Sequence, residues 1–159
     1  MGCVRVKMVK PLVITVLAVA GALGAAGGVV AVDQSVGPPD VVLPVAADGH
    51  FWAQGSTDDG SVRLLVDTGA TRVSLTRDDA ERLGVSLADD AFTQNVLTPG
   101  GETPVAVVTL PWLAVGSVRL ENVEAVVFEQ GLGHSLLGMS FLGRLDGYGV
   151  SSGSMRLRS

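Results

Sequence analysis

Short apolar runs alternate with turn residues about every ten positions between residues 48 and 159. The turn Asp58-Asp59-Gly60 carries the Asp-Gly signal of a β-hairpin and joins predicted strands at 49–56 and 61–67. Many short strands separated by frequent turns predict an all-β, barrel-like single domain. Later strands are expected at residues 95–97, 105–108, 110–114, 118–120, 123–128, 148–150 and 154–158.

Two short helices are expected to interrupt these strands. Residues 76–84 form the clearer one, because Thr76 is a plausible N-cap, acidic residues follow in the first turn and Gly84 suits a C-terminal stop. The second is predicted over residues 139–145, directly after Leu136-Leu137-Gly138. The domain is therefore expected to be all-β with one or two short helices.

An uncharged apolar segment of 22 residues, residues 11–32, precedes this domain. About 20 such residues cross a bilayer as a helix. Arg5, Lys7 and Lys10 lie before the segment, so the positive-inside rule keeps residues 1–10 in the cytoplasm as a basic tip. We expect a single-pass signal-anchor that exports the rest of the chain. A cleaved signal peptide is the alternative, but its apolar region is usually shorter, at about 7–15 residues.

Residues 33–47 contain Pro38, Pro39 and Pro44 and are predicted to be an extended linker. The folded domain is then expected to span residues 48–159. From Asp33 onward the chain has 8 Arg and 16 acidic residues, a net charge of −8. This acidic balance argues against nucleic acid as a partner and against adhesion to anionic lipid headgroups.

The apolar strand that ends at Val66 delivers an acidic residue into the turn Asp67-Thr68-Gly69. Burying a lone carboxylate is costly unless it is hydrogen-bonded, paired or neutralised. Such a residue can bind a metal, act in a carboxylate pair or cap the turn structurally. No metal or other cofactor is expected, because the chain has only His50 and His134, a single cysteine, and no ligand motif.

The segments Leu65–Thr71 and Ser135–Leu142, with a glycine-tipped hairpin between them, resemble the retropepsin-like aspartic proteases, the single-domain relatives of pepsin. Within these, the chain is most similar to the bacterial membrane-anchored group. The resemblance covers residues 48–159. It implies a retropepsin-like barrel, and it places the anchor in a bacterial inner membrane and the protease domain in the periplasm.

The resemblance also implies roles for individual residues. Asp67 would be the catalytic aspartate. The remaining site residues fall into three groups: support of the active-site loop by Thr68, Gly69 and Ala70; a flap over the substrate formed by Thr98, Pro99, Gly100 and Gly101; and packing beneath the loop by Leu136, Leu137 and Gly138.

Catalysis in this family needs two carboxylates that share one proton. Because the chain has one Asp-Thr-Gly motif, the resemblance implies a homodimer in which the Asp67 residues of two copies face each other. By similarity to retroviral relatives, the strand at 154–158 is a candidate dimer element. Thr71 and Met139 stand where those relatives have Asp and Arg, and Arg72 is a candidate for a partial substitute.

The sequence thus predicts an aspartic endopeptidase that hydrolyses peptide or protein substrates with a water activated by two Asp67 carboxylates. The alternative is a non-catalytic module of the same fold that binds peptides or dimerises. A structural protein of the cell envelope has no positive support in the sequence.

Overall fold

The computed structural model describes residues 40–98 and 100–159. The predicted basic tip, the anchor at 11–32, the linker up to residue 39 and the flap residue Pro99 lie outside the described residues. Within the described ranges, no helix is both long and apolar enough to cross a membrane.

Ten strands and three short helical segments follow one another along the described chain, which confirms a mostly β fold with few short helices. The strands are β1 (Asp40–Pro44), β2 (Trp52–Ser56), β3 (Ser61–Val66), β4 (Val73–Thr76), β5 (Gln94–Thr98), β6 (Gly101–Val115), β7 (Val118–Phe128), β8 (Leu136–Leu137), β9 (Gly147–Ser151) and β10 (Ser154–Arg158). The α-helices are α1 (Arg77–Arg82) and α2 (Met139–Leu142), and a 3₁₀ turn spans Asp89–Ala91.

The larger sheet has seven strands in the order β2-β3-β8-β4-β7-β6-β5. A further pairing of Gly55 with Val115 joins β2 to β6, so the sheet curls back on itself. Two pairings in this sheet are parallel, β3 with β8 and β4 with β7. The pairing of β3 with β8 places the ends of these two strands side by side, and the predicted active-site loop follows directly from β3.

Alternating apolar residues of these strands point into the main core. In β3, Val62 and Leu64 are buried, while Ser61 and Arg63, which alternate with them, are exposed. Burial of such side chains is worth about 1.5–3 kcal/mol each. The largest contributions come from fully buried residues of several elements: Leu64, Leu75, Leu110, Leu113, Leu137, Phe141, Leu142 and Leu157.

The local signals in the sequence correspond to the observed elements. The Thr76 side chain accepts a hydrogen bond from the Asp79 N–H (3.2 Å) and caps α1, and Gly84 follows the helix with φ of 85°. The hairpin of β9 and β10 turns at Ser152-Gly153, as predicted. Helix α2 ends at Leu142, earlier than the predicted Leu145.

The two predicted strands at 105–108 and 110–114 form one strand, β6, of 15 residues. Pro111 interrupts its pairing with β7 for one position, opposite Asn122, whose φ is 50°. Proline has no N–H to donate to the neighbouring strand, so the ladder skips this pair and then continues in the same register.

The prediction of a linker is wrong for residues 40–44, which form β1 and pair antiparallel with β10. Leu43 is only 7% exposed and packs into the core. Pro44 is compatible with this role because β1 lies at an edge, where a missing N–H is tolerated. The folded region therefore begins at least eight residues before Asp48.

A second, three-stranded sheet has the order β1-β10-β9. The C-terminal strand β10 lies in its middle, with Arg156 paired to Val42 on one side and to Gly149 on the other. Both edges of β10 are thus occupied within one chain. Contrary to expectation, this strand has no edge to offer a second copy.

The position of β1 predicts that Leu43→Ala lowers the free energy of unfolding by about 2–5 kcal/mol, the usual cost of truncating a buried leucine. Urea unfolding followed by tryptophan fluorescence measures this change. Val42→Ala is the matched control, because Val42 is the neighbouring residue on the opposite face and is 50% exposed. Equal, small effects of both substitutions would contradict a structural role for β1.

Candidate active site

Asp67 lies directly after β3, where its backbone is held by β8. The Asp67 N–H donates to the Leu137 carbonyl oxygen (3.1 Å), and the Leu65 N–H donates to the carbonyl oxygen of Ser135 (2.9 Å). Leu65 and Val66 stand opposite Leu136 and Leu137 in this parallel pairing. The carboxylate is therefore presented from the end of a strand whose own position is set by the core.

The turn after Asp67 orients its carboxylate. The Gly69 N–H donates to Oδ1 of Asp67 (2.8 Å), and the Ala70 N–H donates to the Asp67 carbonyl oxygen (3.3 Å). This is the geometry of an Asx-turn. A Cβ at residue 69 would lie 3.2 Å from Oδ1, closer than most side-chain contacts. Among the described residues no donor reaches Oδ2, so that oxygen remains available to a ligand.

Gly138 lets the segment after β8 pass directly beneath the Asp67 loop. A Cβ at this position would clash with the carbonyl oxygens of Arg72 and Ala70. The Met139 N–H donates to the Ala70 carbonyl oxygen (2.8 Å). The structure therefore brings Leu136, Leu137 and Gly138 against the loop, where the sequence predicted them.

The hairpin of β5 and β6 forms the other wall of the site. At its tip, the Thr98 hydroxyl donates to the Gly101 carbonyl oxygen (2.8 Å) and accepts from the Gly100 N–H (3.2 Å). Gly101 has φ of 111°, a conformation that strongly favours glycine. Leu97, just before the tip, is 85% exposed.

A cleft of about 620 Å³ lies between the loop and the hairpin. Asp67, Gly69 and Ala70 line it from the loop, and Thr98 and Gly100 line it from the hairpin tip. Its other walls are mostly apolar, with Val96, Leu97, Val126, Phe128, Leu132 and Leu136. Thr68 is exposed and does not line the cleft in a single copy.

Asp67 is the only acidic residue among the described residues that line this cleft. In the same part of the chain, no three His, Cys, Asp or Glu side chains are close enough to hold a metal ion. Arg72, at the rim, pairs with Glu124 (Nε to Oε2, 3.2 Å) and not with Thr71 or Met139. One copy of the chain thus contributes a single carboxylate, that of Asp67, to this cleft.

Sequence reasoning did not identify Ser135 as a residue that positions the site. It is 1% exposed, and its hydroxyl donates to Oδ2 of Asp79 (2.6 Å) and accepts from the Thr76 N–H (3.0 Å). These bonds attach the start of β8 to the cap of α1. Its partners are 56 and 59 positions away, so no local pattern reveals the role.

Ser140 has a similar role on the other side of the loop. Its hydroxyl accepts from the Val73 N–H (2.9 Å) and donates to the Glu124 carbonyl oxygen (2.6 Å). Its own N–H donates to the Thr71 carbonyl oxygen (3.0 Å). One serine therefore ties β4, β7 and the end of the Asp67 loop together.

A second cavity of about 710 Å³ adjoins the cleft through Phe128 and Leu132 and is lined by charged residues. On its wall, the backbone N–H of His50 and the indole N–H of Trp52 donate to Asp48 and hold the pKa of its carboxyl below the usual value. A hydrogen bond to Asp89 raises the pKa of Arg77. Asp67 does not line this cavity.

The geometry agrees with the comparisons to known proteins. Residues 53–141 match the aspartyl protease family, so the chain belongs to that family. A retropepsin-like aspartic protease from Rickettsia conorii has a similar structure, with a TM-score of 0.65 and 30% identity, over 75% of this chain and 90% of that one. The chain is thus a retropepsin-like member of the aspartyl proteases.

Two curated relatives are uncharacterized proteins. The protein in the cobV 5′ region of a Sinorhizobium species is 37% identical over 80% of this chain and 55% of its own length. The protein RP867 of Rickettsia prowazekii (strain Madrid E) is 32% identical over 70% of this chain and 48% of its own. The chain therefore spans about half the length of these relatives.

The contacts of Gly138 predict that Gly138→Ala destabilises the protein by about 1–3 kcal/mol, the usual cost of overpacking, because the new methyl group meets backbone that cannot move aside. Thermal unfolding measures the change. Gly133→Ala is the control, since nothing lies within 4 Å of a Cβ at that position. A Gly138→Ala protein that is as stable as the control would show that the loop is not packed as described.

Proposed function

We propose that this chain is an aspartic endopeptidase that acts as a homodimer on peptide or protein substrates. The observation that carries the proposal is the setting of Asp67. Its Oδ1 is held by the Gly69 N–H, its Oδ2 is open, and the carboxylate lies in a cleft beneath a glycine-tipped hairpin. Membership of the aspartyl protease family supports the same conclusion.

Peptide hydrolysis by a pair of aspartates uses one carboxylate as a base and the other as an acid. The ionised carboxylate takes a proton from a water molecule, whose oxygen attacks the scissile carbonyl carbon. The protonated carboxyl donates a hydrogen bond to the carbonyl oxygen and stabilises the tetrahedral intermediate. Transfer of a proton to the leaving amine then breaks the C–N bond.

The second carboxylate comes, in this proposal, from Asp67 of a second copy, because one copy contributes a single acid to the cleft. Thr68 is exposed beside it and is available to brace the two loops across the dimer. The hairpin at Thr98–Gly101 would close over the peptide and exclude water. The apolar cleft walls suit apolar substrate side chains next to the scissile bond.

The location is proposed on the sequence alone. Residues 11–32 would anchor the chain in a bacterial inner membrane, with the N-terminus in the cytoplasm and the protease domain in the periplasm. The anchor would also hold copies in one plane and raise their local concentration, which favours dimers.

The proposal predicts that Asp67→Asn lowers the rate of peptide cleavage by at least about 10²-fold, the lower range for loss of general acid–base catalysis. Cleavage of a peptide library by the full chain, followed by mass spectrometry between about pH 3 and pH 7, measures it. The asparagine keeps an oxygen for the Gly69 N–H, so the turn is preserved. Asp90→Asn is the control, because Asp90 is exposed and outside the cleft.

The pH profile gives a second readout. Activity should fall when both carboxylates are ionised and again when both are protonated, so the profile should be bell-shaped. Undiminished cleavage by Asp67→Asn would refute the proposed catalytic role. Peptide binding without turnover by the unmodified chain at every pH would instead support the non-catalytic module.

A further inference from the structure

The second cavity, of about 710 Å³, extends the space of the cleft beyond its apolar walls. Phe128 and Leu132 line both spaces, whereas Asp67 lines only the cleft. A peptide that lies across Asp67 can therefore reach the second cavity with a side chain that passes Phe128 and Leu132. The walls of this cavity are mostly polar or charged, and the proposed function assigns no role to them.

The three arginines on the wall of the second cavity are already engaged within the chain. They contact Asp89 (Arg77, 2.6 Å between Nη2 and Oδ1), Asp79 (Arg82, 2.9 Å between Nη1 and Oδ1) and the face of Trp52 (Arg63, 4.0 Å from the guanidinium carbon to the ring centre). A guanidinium that is held in this way has less to offer a ligand. The cavity therefore has no arginine that is poised to bind an anion.

Two of the four carboxylates on the same wall lack such engagement. Asp79 and Asp48 accept hydrogen bonds from neighbouring groups. Glu129 and Asp78 make neither an ion pair nor a side-chain hydrogen bond within the described part of the chain. Arg77 is within electrostatic reach of Glu129, but its ion pair is with Asp89. The uncompensated charge of the cavity is therefore negative, which favours a cation as its ligand.

Glu129 is the better placed of these two carboxylates. It directly follows Phe128, a wall that the cavity shares with the cleft. Its N–H donates to the Pro104 carbonyl oxygen (3.2 Å), which attaches it to β6. Glu129 is half-buried, whereas Asp78 is exposed. Since charges interact more strongly where water is partly excluded, recognition of a cation should depend mainly on Glu129.

The surroundings of Glu129 suit the side chain of an arginine or a lysine. These side chains bury their aliphatic stems along apolar surface and keep the charged head at a polar partner. Phe128 and Leu132 offer the apolar surface, and Glu129 offers the partner. A guanidinium can also bind a carboxylate through two parallel hydrogen bonds. An acidic side chain would instead be repelled by Glu129 and Asp78.

We propose that the second cavity is a substrate subsite that binds an arginine or lysine side chain through Glu129. The basic residue lies outside the pair that flanks the scissile bond, because Asp67 does not line this cavity. The proposal rests on the proposed function, since it adds a charge preference to the same substrate. The substrate then has apolar residues near the scissile bond and a basic residue further along the peptide.

An arginine scan tests the charge preference. A peptide with an apolar centre and blocked termini carries a single arginine, which is moved from position to position, and each peptide has a twin with citrulline in its place. Citrulline has the shape of arginine without its charge. At one or more positions away from the scissile bond, the full chain should cleave the arginine peptide with a kcat/KM at least about 3-fold higher than that of its twin. This ratio should approach one at about 1 M salt, where the Debye length is about 3 Å.

Variants of Glu129 assign the preference to one side chain. Glu129→Gln should remove the difference between arginine and citrulline twins, and Glu129→Lys should reverse it in favour of glutamate over glutamine. Glu81→Gln is the matched control, because Glu81 is exposed on α1 and does not line the cavity. The control should keep the ratio of the unmodified chain. Circular dichroism checks that each variant is folded.

Binding to the Asp67→Asn chain gives a readout that needs no turnover. Isothermal titration calorimetry with the same twins should show tighter binding of the arginine peptide, and Glu129→Gln in the Asp67→Asn background should abolish the difference. This result in a chain that cleaves no peptide would support the subsite and refute the protease.

The opposite results refute the subsite and leave the protease standing. They are cleavage that requires Asp67 with equal rates for all arginine and citrulline twins, or a preference for arginine that Glu129→Gln leaves intact. Faster cleavage of peptides with an acidic residue by the unmodified chain would also overturn the proposal.

Discussion

The hydrogen bonds between the Asp67 loop and the segment after β8 are the constraint on which the site depends. The loop carbonyl oxygens of Ala70 and Thr71 accept from the N–H groups of Met139 and Ser140, the first residues of α2. The first N–H groups of a helix have no partner within it. Here they find acceptors in the carbonyl oxygens of the Asp67 loop, so the start of α2 and the loop hold each other in place.

The Asx-turn at Asp67 is compatible with a carboxylate that keeps one oxygen open to a ligand. The turn uses Oδ1, through the Gly69 N–H, and fixes the plane of the carboxylate. Asp67 lines the cleft, and its Oδ2 has no hydrogen-bond donor among the described residues. The Asx-turn thus also orients Oδ2, because the hydrogen bond from the Gly69 N–H to Oδ1 fixes the position of the other carboxylate oxygen.

Local signals predicted much of the fold, and long-range contacts account for what they missed. The Thr76 cap, the Gly84 stop and the glycine-tipped hairpin act over a few residues, so they are visible in the sequence. Residues 40–44 contain a proline and resemble a linker, and only pairing with β10 makes them a strand. Arg156 bonds to Asp40 across 116 positions. Ser135 likewise depends on distant partners.

The presence of strand β1 at residues 40–44, in place of the predicted linker, changes more than a domain boundary. If they were a linker, β10 would have an open edge, and the terminal strand would be the natural place for a second copy. Because β1 occupies that edge, the outer sides of β1 and β9 are the edges of this small sheet that the described residues leave unpaired. On β9 the apolar side chains of Tyr148 and Val150 are 39% and 60% exposed. The five residues of β1 thus determine which strands of this small sheet have an unpaired edge among the described residues.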